Sequence, residues 1–222
     1  MPAIIENLKI IEDRISAACR KAGRSREEIR IVAVTKTQNE DRIREAAEAG
    51  LRLFAESRVQ EAQRKLPALK SLGEWHFIGH LQTNKAKNAV DMFDSIESVD
   101  SLRLAREISR LAAGMDRRID VWAEVNVSGE GSKQGFPLDS ARDEIGRMLD
   151  LPGLKLSGLM TMAPRSDSEE EARPVFSGLR RLARSLEGRA GALGLSMGMS
   201  DDYRVAVEEG ATHVRIGSAL FR

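Results

Sequence analysis

The chain has 222 residues but only one cysteine, one tyrosine and two tryptophans, and aromatic residues make up just 4% of it. The lone Cys19 excludes an internal disulfide and fits a reducing compartment. There is no excess charge of either sign. Thirty-five Lys and Arg against 34 Asp and Glu leave a net charge of +1, so there is no electrostatic case for nucleic acid or an anionic membrane. No run is apolar enough to span a bilayer, and the N-terminal stretch, charged from Glu6 onward, lacks the apolar core of a secretion signal. The expectation is a cytoplasmic protein with neither a nucleic-acid nor a membrane partner. His76 and His80 are four apart, but Phe77-Ile78-Gly79 between them reads as strand and turn. With no carboxylate or cysteine cluster beside them, no metal site is expected.

What is present reads as a globular domain with one sizeable core, with 41% hydrophobic and 31% charged residues. Ile4, Leu8, Ile11, Ile15 and Cys19 recur at helical spacing, predicting an amphipathic helix over 3–21 that stops near Gly23 and lies across one end of the body. Eight strands are then predicted, over 30–36, 51–55, 75–79, 92–96, 119–127, 154–162, 195–199 and 213–216. Helical patterns lie between them, over 40–49, 56–70 (broken near Pro67), 83–90, 101–113, 138–149, from about 174 to 187, and 201–209. Strand–helix alternation implies parallel strands with crossover helices. Eight units predict a closed (β/α)8 TIM barrel of the α/β class with an extra N-terminal helix, as a single domain over 1–222. An open doubly wound sheet would also alternate, but no Gly-x-Gly-x-x-Gly follows the first strand.

Chemistry in such a barrel sits at the C-terminal strand ends, and phosphate often binds at the loops after the seventh and eighth. Lys36 closes the first strand run, Ile31 to Lys36. Burial there costs free energy unless the charge is paired or the amine neutral, and a neutral amine is a nucleophile toward aldehydes. Taken alone, the stretch favours a lysine that snorkels into solvent over a buried nucleophile. The last two strands end in Ser196-Met197-Gly198-Met199-Ser200 and Arg215-Ile216-Gly217-Ser218. Each loop offers glycine, a hydroxyl and a helix start, which together suit an anion. Arg215 lies on the last strand between these features. A phosphorylated aldehyde would use both ends of the site, and pyridoxal phosphate is one.

The same residues carry a family resemblance. Ala33-Val34-Thr35-Lys36, Trp75-His76-Phe77-Ile78-Gly79, Leu81-Gln82-x-Asn84-Lys85, Ser132-Lys133-x-Gly135, Gly158-Leu159-Met160, the 196–202 loop and Val214 to Ser218 resemble the pyridoxal phosphate homeostasis proteins, the YggS/PROSC family. That resemblance implies a single-domain barrel like the N-terminal domain of alanine racemase. It also implies pyridoxal 5'-phosphate held as a covalent aldimine on Lys36. Ser200, Gly217 and Ser218 would hold the phosphate, with Ser196 and Met199 nearby, and Arg215 would face the pyridine nitrogen. His76, Asn84 and Met160 complete the implied cofactor-binding set. The family pattern Phe-Gly-Glu-Asn is replaced by Phe54-Ala55-Glu56-Ser57, so Ser57 stands where an asparagine lies beside the cofactor ring.

The implied role is pyridoxal phosphate homeostasis, as a carrier or buffer with no catalytic residue of its own and with transient contact to apo-enzymes that use the cofactor. Racemases of this barrel type take an opposing acid–base tyrosine from another domain, and Tyr203 is the one tyrosine here. An amino-acid racemase or lyase using Lys36 as both attachment point and base is the first alternative. An aldolase-like barrel acting on a sugar phosphate is the second. No apolar stripe exceeds what the core needs, which favours a monomer. Lys133 reads as a solvated loop lysine or as a second amine near the cofactor.

Overall fold

The computed structural model describes residues 3–131, 133–166 and 168–222; Ser132 of the quoted motif lies outside them. Eight parallel strands close a barrel: β1 (Arg30–Val34), β2 (Leu53–Glu56), β3 (Glu74–Phe77), β4 (Ser95–Val99), β5 (Ile119–Asn126), β7 (Leu154–Met160), β8 (Gly194–Ser196) and β9 (His213–Ile216). Pairing runs β4-β3-β2-β1-β9-β8-β7-β5, and a β4–β5 ladder completes the ring. A two-residue strand, β6 (Phe136–Pro137), adds to the end of β5. The helices are α1 (Ala3–Ala22), α2 (Glu40–Glu48), α3 (Val59–Leu69), α4 (Ala86–Met92), α5 (Leu102–Gly114), α6 (Leu138–Met148), α7 (Arg173–Ala190), α8 (Tyr203–Glu208) and α9 (Ser218–Phe221).

Several boundaries differ from the sequence reading for identifiable reasons. Strand β4 begins at Ser95, not at 92, because α4 runs on through Met92 and Phe93 N–H still donates to the Ala89 carbonyl. Pro67 does not break α3, since it falls in the last turn, and the chain then tightens into a 3-10 turn at Lys70–Leu72. Helix α1 buries Ile4, Ile11, Ile15, Ala18 and Cys19. It packs along α8, α9 and α2 on the outside of the barrel and does not cross an end. Asn7 bonds the Leu220 carbonyl near its start, and Arg24 just beyond its end bonds the carbonyls of Val207 and Ala211. The helix after β9 is only four residues long, so α1 fills the eighth place in the outer ring.

The main core lies between the outer faces of the strands and the helices. Strand periodicity then separates the barrel interior from it. Ile31 and Ala33 belong to the outer core, while Val32 joins Leu53, Ala55 and Ile78 in a small inner cluster. On β5, Ile119, Val121, Ala123 and Val125 face outward, which turns Trp122 and Glu124 inward. The interior is therefore apolar on the β1–β2 side and polar around β3, β4, β5, β8 and β9.

Candidate cofactor site

The C-terminal mouth brings β1 and β9 together. Their ladder ends at Ala33 opposite Ile216, so Gly217 comes beside Val34; a Cβ on Gly217 would stand 3.4 Å from Val34 Cβ. Lys36 follows two residues later on the same chain. It is exposed, because β1 ends at Val34 and the chain turns at Lys36 and Thr37. Its side chain is thus solvent-exposed, not buried at a strand end. The turn itself is tightly held. Thr35 N–H donates to the Ala55 carbonyl at 2.9 Å, and the single hydroxyl proton goes to Glu56 Oε1 at 2.7 Å, with the Ala55 carbonyl a longer contact at 3.1 Å.

Next round the rim, beyond β9, the loop after β8 is shaped by Gly198, whose φ of +89° suits glycine. A Cβ there would lie 2.5 Å from Ala206 Cβ and 2.9 Å from Tyr203 Cα. Asp202 Oδ1 accepts from Met199 N–H at 2.6 Å, and Ser200 Oγ accepts from Ala219 N–H at 3.1 Å, which ties the two last loops together. Among the described residues, the N–H groups of Ser200, Gly217 and Ser218 donate to no protein acceptor. Three free N–H donors beside two serine hydroxyls, on loops locked to each other, are a donor set that fits a phosphate.

Below the mouth runs a buried polar chain. Arg215, 4% exposed, donates from Nη1 to Ser196 Oγ at 2.8 Å and from Nη2 to the Thr161 carbonyl at 2.9 Å. Ser196 donates to Glu97 Oε2. Glu97 Oε1 accepts from His76 Nδ1, while His76 Nε2 reaches Glu74 Oε1 at 2.9 Å. Burial opposes charge on His76, but its bonds to Glu74 and Glu97 outweigh burial and hold the imidazolium to about 9. Glu97 is likewise opposed by burial, yet its His76 bond and the charges of His76 and Arg215 bring it down to about 2. Arg215 is thereby fixed at the foot of the mouth with two of its nitrogens engaged.

Two further carboxylates near the mouth escaped the sequence reading. Glu124, 5% exposed, is pushed up to about 7 by burial and by the charge of Asp100, with Arg215 opposing. Glu56, fully buried, is raised by burial against its bonds to Thr35 and Lys65. Glu97 lies within Ser95-Ile96-Glu97-Ser98-Val99 and Glu124 within Val121 to Val127. A charged residue embedded in a strand run was the available signal.

The predicted residues divide by place. Lys36, Ser57, Met160, Ser200, Arg215, Gly217 and Ser218 come from strands and loops that converge at the C-terminal end. Met199 also lines a recess of about 600 Å³ between the loops after β7 and β8, with Arg165, Ser166 and Asp202. His76 does not reach the mouth. It stands over the N-terminal end of the barrel, where it lines a recess of about 310 Å³ with Trp122 and His213. Ser196 is consumed between Glu97 and Arg215, so it positions the arginine. Asn84 is exposed in a separate recess at the same C-terminal end, formed by the segments after β3, β4 and β5, with Asp100, Arg103 and Lys133. Ala55, in place of the family glycine, sits in regular strand pairing with Val34 and His76 and needs no positive φ. Tyr203 is 2% exposed within the outer core.

Residues 7–222 match the family described as alanine racemase, N-terminal domain. The chain is 43% identical to the pyridoxal phosphate homeostasis protein of Aquifex aeolicus (strain VF5), over 97% of this chain and 96% of that protein. The chain belongs to the pyridoxal phosphate homeostasis protein family. The Escherichia coli (strain K12) member is 38% identical, over 100% of this chain and 97% of its own length. PipY of Synechococcus elongatus PCC7942, solved with PLP bound, superposes with a TM-score of 0.83 at 36% identity, covering 99% of this chain and all of that one. The alanine racemase of Clostridium difficile 630 shares the fold, with a TM-score of 0.74 at 16% identity. No helix among the described residues is long and apolar enough to cross a membrane.

Proposed function

We propose that this chain is a pyridoxal 5'-phosphate-binding homeostasis protein, a carrier or buffer of the cofactor in the cytoplasm without a catalytic cycle of its own. The observation that carries the reading is an exposed Lys36 after β1 beside a free-donor anion seat on the neighbouring β9 and β8 loops, at one end of the barrel. Ser200, Gly217 and Ser218 hold the phosphate by N–H and hydroxyl donors. Lys36 is the residue of covalent attachment. When bound, the cofactor would supply an electrophilic aldehyde carbon, and Lys36 would supply the amine that attacks it. Arg215, held by Ser196 and the Thr161 carbonyl, presents a permanent cation at the ring side of the site. An arginine there cannot hand a proton to the ring nitrogen, which disfavours carbanion chemistry. Tyr203, buried in the outer core, offers no second acid on the opposite face. Delivery to apo-enzymes is a transient contact of a monomeric carrier.

The deciding experiment adds pyridoxal phosphate to the purified chain and follows absorbance at about 420 nm, the range of its lysine imine. Borohydride reduction and peptide mass spectrometry then locate the adduct. The expected result is a stoichiometric band, an adduct on Lys36 and loss of both in Lys36→Ala. Absence of any band, or an adduct elsewhere, rejects the assignment. Amino-acid racemisation above that of the free cofactor, lost in Lys36→Ala, would favour the racemase reading.

A further inference from the structure

Lys36 itself is exposed, yet the residues on both sides of it are held from one direction. Lys65, on α3, reaches the turn with its amine. Its Nζ donates to the Thr35 carbonyl at 3.0 Å, to Glu56 Oε1 at 3.0 Å and to Glu61 Oε1 at 2.8 Å. Glu56 in turn accepts from the Thr35 hydroxyl. Glu61 Oε1 also accepts from Thr37 N–H at 2.9 Å. The Lys65 side chain is 12% exposed and that of Glu56 is fully buried, so this is an ordered, largely water-free group. Thr37 meanwhile sits at φ +66°, a region that β-branched residues avoid. Such a conformation persists only where its surroundings over-determine it.

We propose that Glu56, Lys65 and Glu61 form a positioning clamp that sets the Cα of Lys36 against the anion seat on the neighbouring β8 and β9 loops. The inference rests on the assignment of Lys36 as the attachment residue. The clamp grips Thr35 and Thr37 and leaves the lysine side chain free, as a residue that must swing onto an aldehyde requires. The phosphate seat is shaped by separate contacts within the β8 and β9 loops. The reaction therefore depends on the distance between two rigid points, only one of which the clamp controls. Misplacing a reacting group by about 1 Å can cost on the order of a hundredfold in rate.

The test compares full-length wild type with Lys65→Met, Glu61→Ala and Glu61→Gln. Pyridoxal phosphate is mixed with each, covalent attachment is followed by absorbance and borohydride trapping, and displacement by inorganic phosphate reports the anion seat. Attachment is expected to slow about tenfold or more in Lys65→Met and Glu61→Ala, with phosphate competition unchanged. Glu61→Gln, which keeps an acceptor for Thr37 N–H, is expected to recover most of the rate. Wild-type rates in both Lys65→Met and Glu61→Ala overturn the clamp. So does a loss of phosphate competition in parallel with the rate, because that pattern marks general loosening. If Lys65→Met does not fold, the Glu61 pair, at a side chain 20% exposed, decides the matter. If the wild-type chain forms no covalent link, the attachment reading fails instead. The clamp is then judged by hydrogen exchange at the Thr37 amide of the cofactor-free chain, which must be faster in Glu61→Ala than in wild type.

Discussion

Glu97 and Arg215 share one hydroxyl: Ser196 Oγ donates to the Glu97 carboxylate and accepts from Arg215 Nη1 at 2.8 Å. Through that serine, a carboxylate on β4 sets the pose of an arginine on β9, the far side of the barrel. The same carboxylate holds His76, so four strands, β3, β4, β8 and β9, are joined inside the barrel by one chain of charge-assisted bonds.

Glu97→Gln leaves His76 and Arg215 without their shared counter-charge in a site with no solvent access. Breaking a buried pair by removing one partner costs about 3–5 kcal/mol. Urea unfolding at neutral pH should show a loss of that size, and pyridoxal phosphate should bind more weakly because Arg215 is released.

The same cluster sets a pH window. His76 is held to about 9 against an ordinary 6.5, so its contribution is fully present below about pH 6.5 and is lost as pH rises through about 9. Glu97 and Glu74, both held to about 2, contribute above about pH 4.5 and lose that contribution as pH falls through about 2. These are one set of interactions seen from both ends. Unfolding midpoints should therefore decline between about pH 6.5 and 9 in the wild type, and much less in His76→Gln.

Glu124 behaves in the opposite sense to an ordinary paired carboxylate. Its native value of about 7 lies above the unfolded 4.5, so its contribution is full below about pH 4.5 and is lost as pH rises through about 7. Glu124→Gln should match the wild type near pH 4.5 and exceed it at pH 8, by at most roughly 3 kcal/mol. Urea titrations at the two pH values separate this from a uniform change in packing.

Gly198→Ala should be severe for a single methyl group. The left-handed φ penalises alanine, and the new Cβ would meet Ala206 and the Tyr203 backbone. A loss of about 2–4 kcal/mol is expected, with displacement of the Met199–Ser200 turn and weaker competition by inorganic phosphate.

Ile11→Ala tests the place of α1. As a fully integrated eighth helix it buries Ile11 at 2% exposure. Truncation should cost about 2–5 kcal/mol in a single cooperative unfolding transition. A loss below about 0.5 kcal/mol would mark the helix as an appendage.

The periodicities of the chain determined its architecture. Eight apolar runs alternating with amphipathic segments leave little but a parallel barrel, because parallel strands need crossovers and buried strands need cover on both faces. Ser196 to Asp202 and Val214 to Ser218 also marked the loops proposed to seat an anion, since glycine and hydroxyl residues at strand ends have a local meaning. What only the tertiary structure decided was which side chains meet. His76 reads as a candidate ligand along the chain, but the pleat and register turn it toward the N-terminal end and onto Glu97. Glu56, Glu61 and Lys65 look like ordinary charges of a strand and helix until α3 folds back over the turn at Thr35. Lys36 illustrates both halves. Its place at a strand end was legible in the sequence, whereas its exposure and the grip on its two neighbours come from contacts 20 to 30 residues away. Spacing cannot reveal these contacts, because burial and pairing are properties of the packed whole.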